Sequence, residues 1–211
     1  MADKAPGEAS LEAANAELEG RAIAGEEAVV GLMRAELIAL QERARQFSSE
    51  RVSLFRCDED HFTLVARRSP RPSFDRSLGR GTYPLEEGIL GQAWANGTAG
   101  VSALPSPGPA HEPPRRRWLE AQRRLNVPEH VATNLTMRSQ AYAAFRLAER
   151  DRALGVLVFE STVSVDEAAA AGPSTTKRTV AELEPLVKEA GDRLAGLLRA
   201  CASISAPRLR E

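Results

Sequence analysis

The stretch Ala153-Leu154-Gly155-Val156-Leu157-Val158-Phe159-Glu160-Ser161 decides the fold. It is apolar almost throughout and rich in β-branched and aromatic residues, so it reads as a strand. A strand without polar alternation is buried on both faces and belongs in the middle of a sheet. Just upstream, residues 140–148 (QAYAAFRLA) read as a second strand. The polar turn Glu149-Arg150-Asp151-Arg152 joins the two as a hairpin. Downstream, residues 163–176 are small and polar. Then Val180, Leu183, Val187, Ala190, Leu194, Leu197 and Cys201 alternate steps of three and four, which is the apolar stripe of a helix. Leu186 and Leu198 widen that stripe, and Glu182, Lys188, Asp192 and Arg193 take its wet side.

Further toward the N-terminus a second hairpin is legible. Residues 51–57 (RVSLFRC) and 61–67 (HFTLVAR) flank the turn Asp58-Glu59-Asp60. An amphipathic helix precedes it, with Val30, Met33, Leu37, Leu40, Ala44 and Phe47 on one stripe. Residues 1–20 are rich in Ala, Glu and Gly and poor in bulky apolar residues, so a frayed helix or disordered tail is expected there. Between the hairpins, residues 69–81 read as a long connection and 82–87 as a short extended piece. Residues 88–94 read as a short helix closed by Gly97. Residues 98–104 form another strand candidate. The proline-rich loop 105–114 leads into a helix over 115–125.

The order helix, hairpin, short helices with a long covering segment, hairpin, helix predicts an α+β fold. We expect a central antiparallel sheet of five or six strands. The N- and C-terminal helices lie on one face, and short helices with long loops cover the other. The expected division is a tail over 1–24, one domain over 25–203 and a tail over 204–211, because neither half alone has enough strands for a stable sheet.

Composition narrows the function classes. The 211 residues carry 28 basic and 29 acidic side chains, for a net charge of −1. That balance offers no steering toward nucleic acid or anionic lipid, so neither is expected as a partner. No apolar run approaches the roughly 20 residues a membrane helix needs. The first 20 residues lack a basic start followed by an apolar stretch, so a cytoplasmic location is expected. Cys57 and Cys201 are too few for a disulfide framework or a metal knuckle. His61, His111 and His130 are too scattered for a zinc motif, and no metal or cofactor is expected. Asn96-Gly97-Thr98 and Asn134-Leu135-Thr136 fit the glycosylation pattern, but a cytoplasmic chain would not meet that machinery.

These elements together resemble a GAF domain. The resemblance rests on Arg51-Val52-Ser53-Leu54-Phe55-Arg56 after a helix and on Tyr83-Pro84-Leu85. It continues through Glu87-Gly88-Ile89-Leu90-Gly91-Gln92-Ala93-Trp94 and Leu154-Gly155-Val156-Leu157-Val158-Phe159-Glu160-Ser161, and ends on a long amphipathic helix. It spans residues 26–202. It implies a central sheet between two helix layers. One layer, made of the first and last helices, often pairs with a second subunit. The opposite face often holds a small ligand under a roof. Such domains usually regulate an attached output domain. No output domain is expected in the remaining residues, so either a signal passes to a separate output protein or the domain works alone.

The resemblance also tests chemistry. Cyclic-nucleotide-binding members carry an Asn-Lys-Phe-Asp-Glu signature with fixed gaps. Here Phe159, Asp166 and Glu167 have the wrong gap and no suitable Asn-Lys pair. Bilin-binding relatives and free methionine sulfoxide reductases use cysteines near the pocket, and residues 58–200 contain none. Both chemistries lose their nucleophile, so the reductase remains a remote alternative and no catalytic residue is assigned.

Candidate ligand-binding residues are Trp94, Ser102, Trp118, Phe145, Arg146, Phe159 and Ser161. The aromatics would serve as walls and the polar groups would orient an unknown small molecule. Alternation separates Tyr142, Ala144 and Arg146 from Ala143, Phe145 and Leu147. It likewise separates Gly155, Leu157, Phe159 and Ser161 from Leu154, Val156, Val158 and Glu160. It does not say which set faces the roof. The run Arg115-Arg116-Arg117 with Arg123 and Arg124 reads first as a solvated helix face. Asp58-Glu59-Asp60 and Glu86-Glu87 read as turn and surface carboxylates. The helix stripes carry enough apolar positions to serve both the sheet and a twin chain. The candidate homodimer interface is Met33, Leu37, Leu40, Leu183, Leu186, Leu194, Leu197 and Leu198. The alternative is a protein-interaction module that holds no ligand.

Overall fold

The apolar stretch ending at Ser161 sits in the interior of a six-stranded antiparallel sheet. The computed structural model describes residues 6–45, 50–76, 80–108, 113–170 and 179–205. In chain order the elements are α1 (Pro6–Arg43), β1 (Glu50–Cys57), β2 (His61–Arg68), α2 (Pro72–Asp75), β3 (Thr82–Pro84), α3 (Gly88–Asn96) and β4 (Thr98–Val101). They continue with α4 (Pro113–Arg124), α5 (Glu129–Thr133), β5 (Ala141–Glu149), β6 (Arg152–Ser161), α6 (Val165–Ala170) and α7 (Val180–Ser205). The strand order is β3-β2-β1-β6-β5-β4. The two predicted hairpins are therefore adjacent, joined through β1 and β6.

The register settles what alternation left open. Val52, Leu54, Ala143, Phe145, Leu147, Leu157 and Phe159 form one core with Met33, Leu37 and Leu40 of α1 and Leu183, Leu186, Leu194 and Leu198 of α7. Phe55, Phe62, Tyr142, Ala144, Val156 and Val158 form a second core with Ile89, Leu90 and Ala93 of α3. The first face carries the terminal helices and the second is roofed by α3 and the α4–α5 region. Gly155 lies where β6 crosses β1: a Cβ there would meet the Phe55 carbonyl oxygen at 2.1 Å.

Helix ends follow local chemistry. The Thr179 hydroxyl accepts from the Glu182 N–H at 3.3 Å, and the Glu182 carboxylate accepts from the Thr179 N–H at 2.9 Å. This capping box starts α7. Gly97, with φ of 87°, ends α3 and donates its N–H to the Ala93 carbonyl. Arg193 grips Glu36 through Nε and Nη2 at 3.0 and 3.1 Å, tying α7 to α1.

The first helix, α1, runs unbroken from Pro6 over 38 residues, about 57 Å at 1.5 Å per residue. The Ala and Glu content read as tail-like is also what favours helix. Its first part is solvated: Leu11, Leu18 and Ile23 are exposed. The helix ends at Arg43, and Phe47 falls outside the described residues. Two short helices, α2 and α6, stand in the segments 69–81 and 163–176, where no helix was expected, and the strand expected over 98–104 stops at Val101. Residues 171–178 and both chain ends beyond Pro6 and Ser205 lie outside the described residues. Among the described residues, no helix is long and apolar enough to cross a membrane.

Candidate ligand pocket

Strand register builds the candidate site. Arg51 of β1 stands opposite Glu160 of β6, and Glu160 stands opposite Tyr142 of β5. Arg67 of β2 stands opposite Ser53 of β1. All lie on the roofed face, so charged groups from three strands meet under the roof. Arg80, Tyr83 and Glu87 close one side from β3 and the start of α3. Gln122, Leu125 and Val127 close another. Two adjoining compartments result, of about 100 and 310 Å³. Arg51, Arg67, Arg80, Tyr83, Val131 and Leu135 line both. The smaller compartment is walled chiefly by apolar groups, among them Phe55, Leu90, Leu125 and Val158.

Two of the three arginines inside are ion-paired. Arg51 Nε donates to Glu160 Oε2 at 2.7 Å, and Ser139 Oγ donates to Glu160 Oε1 at 3.2 Å. Both ionic side chains are 10% exposed. Arg80 forks onto Glu87, with Nη1 donating to Oε2 at 2.8 Å and Nη2 to Oε1. Arg80 also lies 4.4 Å over the Tyr83 ring, which meets Phe55 edge-on at 5.2 Å. Arg67 differs. It is 6% exposed, and its Nε donates to Ser53 Oγ at 3.1 Å. The Tyr83 hydroxyl lies beside it, but it forms no ion pair among the described residues. Burial, with the neighbouring Arg51 charge, lowers its pKa from the ordinary value, though a guanidinium stays charged at neutral pH. Burial and the Glu160 charge push the Tyr142 hydroxyl up to about 12, so it stays a neutral phenol that accepts from Gln122 Nε2 at 3.4 Å.

None of the seven side chains expected to line a pocket lines these compartments. Phe145 and Phe159 pack edge-on at 6.2 Å on the opposite face, against α1 and α7. Ser161 shares that face and donates to Glu50 Oε1 at 3.3 Å. Trp94 packs on Phe62 at 5.6 Å inside the roof core. Trp118 is fully buried and spends its indole N–H on the Ser139 carbonyl at 3.1 Å. Arg146 faces the roof side but reaches outward to the Trp94 carbonyl at 2.7 Å. Ser102 is exposed and lines a separate cleft beside the start of α7.

Of the residues that do line the cavity, Glu160 was legible as an anomaly, a charge in a strand read as buried, whereas Arg51 and Arg67 gave no such signal. The eight residues offered as a dimer face are spent on the chain's own core, with Leu197 alone partly buried. Of the arginine run, Arg115 is buried with its guanidinium 5.0 Å over Trp118, while Arg116 and Arg117 are exposed.

No thiol lines the cavity. Cys57 ends β1, where burial and the adjacent Asp58 charge push its thiol up to about 11. Cys201 is buried on the sheet-facing side of α7, 3.5 Å from Arg56 Nη1. Among the described residues, no cluster of His, Cys, Asp or Glu could hold a metal ion.

No family model and no curated protein matches this sequence. Solved structures do match in shape. The GAF domain of an Acinetobacter phosphoenolpyruvate-protein phosphotransferase superposes with a TM-score of 0.52 at 12% identity, covering 90% of this chain and 96% of its own. Its counterpart from Coxiella burnetii gives 0.51 at 15% identity, with the same coverage. A type II free methionine-R-sulfoxide reductase from Thermoplasma acidophilum gives 0.53 at 12% identity, over 83% of this chain and 95% of its own. The sheet order, the two helix layers and these likenesses together give one conclusion: this chain has the GAF fold.

Proposed function

We propose that this protein is a regulatory module of the GAF type. It binds a small molecule between sheet and roof, reports occupancy to another chain and performs no chemistry of its own. One observation carries the reading: a cavity with apolar walls into which a few fixed polar groups converge, which is the usual build of a small-molecule site. The sharing of this fold by phosphotransferase GAF domains is consistent with a regulatory role. A reductase of the free methionine sulfoxide type is disfavoured because no thiol lines the cavity. Screening the purified chain against metabolite pools by thermal shift tests the reading. A ligand at one equivalent supports it, and a dry, unresponsive cavity refutes it.

The reporting surface is the solvated side of α1. Leu11, Leu18 and Leu32 are 67, 42 and 57% exposed and recur at multiples of seven residues. Such a stripe suits a helix from a second copy of this chain or from a separate output protein. A ligand-free interaction module would use the same stripe, and the ligand screen separates the two. Light scattering of the chain beside Leu18→Glu/Leu32→Glu tests the surface. A dimer that the double variant abolishes supports it, and a monomer at every concentration refutes self-association.

A further inference from the structure

The cavity holds more positive charge than it neutralises. Arg51, Arg67 and Arg80 line it, against the carboxylates Glu87 and Glu160. Arg51 is matched by Glu160 and Arg80 by Glu87. Arg67 is the surplus cation, and it is nine-tenths buried. Arg67 bonds the Ser53 and Tyr83 hydroxyls and feels the Glu160 charge, but it has no carboxylate of its own. Burying a charge without a full counter-charge is costly, and arginine cannot escape by losing its proton. A side chain of this kind serves best where a ligand supplies the missing anion.

We propose that the cavity takes a small molecule with one carboxylate, held by Arg67, and an uncharged, largely apolar body. The proposal rests on reading the cavity as a ligand site and narrows what that site takes. One surplus charge matches one carboxylate, and the guanidinium fork fits its two oxygens. A phosphate monoester, near two negative charges at neutral pH, would leave a buried negative excess. An amino acid is disfavoured at its ammonium end. Glu160 already accepts from Arg51 and Ser139, Glu87 is occupied by both Nη groups of Arg80, and a second cation would meet three guanidiniums. The body of the ligand lies against Phe55, Leu90, Leu125 and Val158, where Gln122 and the Tyr142 hydroxyl form the nearest polar pair.

The test uses matched probes on the unmodified chain: phenylacetate and hexanoate, their neutral amides, phenylalanine as zwitterion and phenyl phosphate as dianion. Calorimetry gives affinity, and backbone amide NMR shifts locate the site. The carboxylates should bind with shifts at β1, β2 and α3. Their amides should bind roughly 10- to 100-fold more weakly, as expected for loss of a charge-assisted hydrogen bond. Arg67→Gln should lower carboxylate affinity by a similar factor and leave the amides unchanged, and Arg67→Lys should restore part of it. Because the acid–amide comparison needs no variant, a misfolded Arg67→Gln does not decide the outcome. Amides, phenylalanine or phenyl phosphate binding at the cavity as tightly as the carboxylates would overturn the carboxylate assignment and leave the ligand site standing. No probe of any charge perturbing the cavity would overturn both.

Discussion

Replacing Gly155 by alanine adds one methyl group at the crossing of β6 and β1. The built Cβ lies 2.1 Å from the Phe55 carbonyl oxygen, 3.2 Å from its carbon and 2.9 Å from Leu198 Cδ1, where ordinary contact begins near 3.4 Å. Leu198 is a flexible side chain and can rotate. The Phe55 carbonyl cannot, because β1 is held on one side by β2 and on the other by β6. Relief therefore requires the two central strands to part. Overpacking a core typically costs ~1–3 kcal/mol and occasionally more, and a backbone obstacle places this site near 3 kcal/mol. For a chain of this size, each kcal/mol shifts Tm by about 2–4 °C, so the expected drop is about 6–12 °C. Gly191→Ala in α7 is the control. Nothing lies within 4 Å of its Cβ position, and a helical glycine replaced by alanine gains ~0.5–1 kcal/mol. Urea melts followed by the fluorescence of Trp94 and Trp118 would measure both. The same chemical change should destabilise at one position and stabilise at the other. A Gly155→Ala loss below about 1 kcal/mol, outside the usual overpacking range, would mean that β6 does not cross β1 in this register.

Two further outcomes follow from ionisable groups that the fold buries wholly or in part. Glu160→Gln keeps an acceptor for Ser139 but leaves Arg51 without a counter-charge, and breaking a buried pair costs ~3–5 kcal/mol. A urea midpoint close to wild type would show that the Arg51–Glu160 pair is not formed. Cys57, with its thiol raised from 9.0 to about 11, should react slowly with iodoacetamide at pH 8. Its thiolate fraction falls roughly 100-fold and the stronger nucleophile returns roughly 10-fold, so alkylation should run about ten times slower than in a peptide. The folded state holds this proton more tightly, so the contribution is complete below pH 9 and is lost as pH rises through about 11. Peptide-like reactivity, or stability flat across that window, would contradict the partial burial of Cys57 beside Asp58.

Much of the architecture was written in the chain itself. An unbroken apolar run at Val156–Phe159 demands cover on both faces, so the central place of β6 followed from composition alone. Three-four spacing from Val180 to Cys201 dictated an amphipathic helix, and polar turns set both hairpins, because these signals are local. Alternation also sorted the two strands of the second hairpin, β5 and β6, into two sets each. It carried no sign, since both faces of this sheet are apolar and either could take the terminal helices. Tertiary register alone turned Phe145 and Phe159 toward α1 and α7 and turned Tyr142, Val158 and Glu160 toward the roof. The pocket was illegible for the same reason. Arg51, Arg67 and Glu160 lie 16 and 93 residues apart along the chain, and only pairing of β2, β1 and β6 gathers them into one cavity. The surplus charge of Arg67 is likewise a property of that assembly: the two carboxylates gathered there are ion-paired to Arg51 and Arg80.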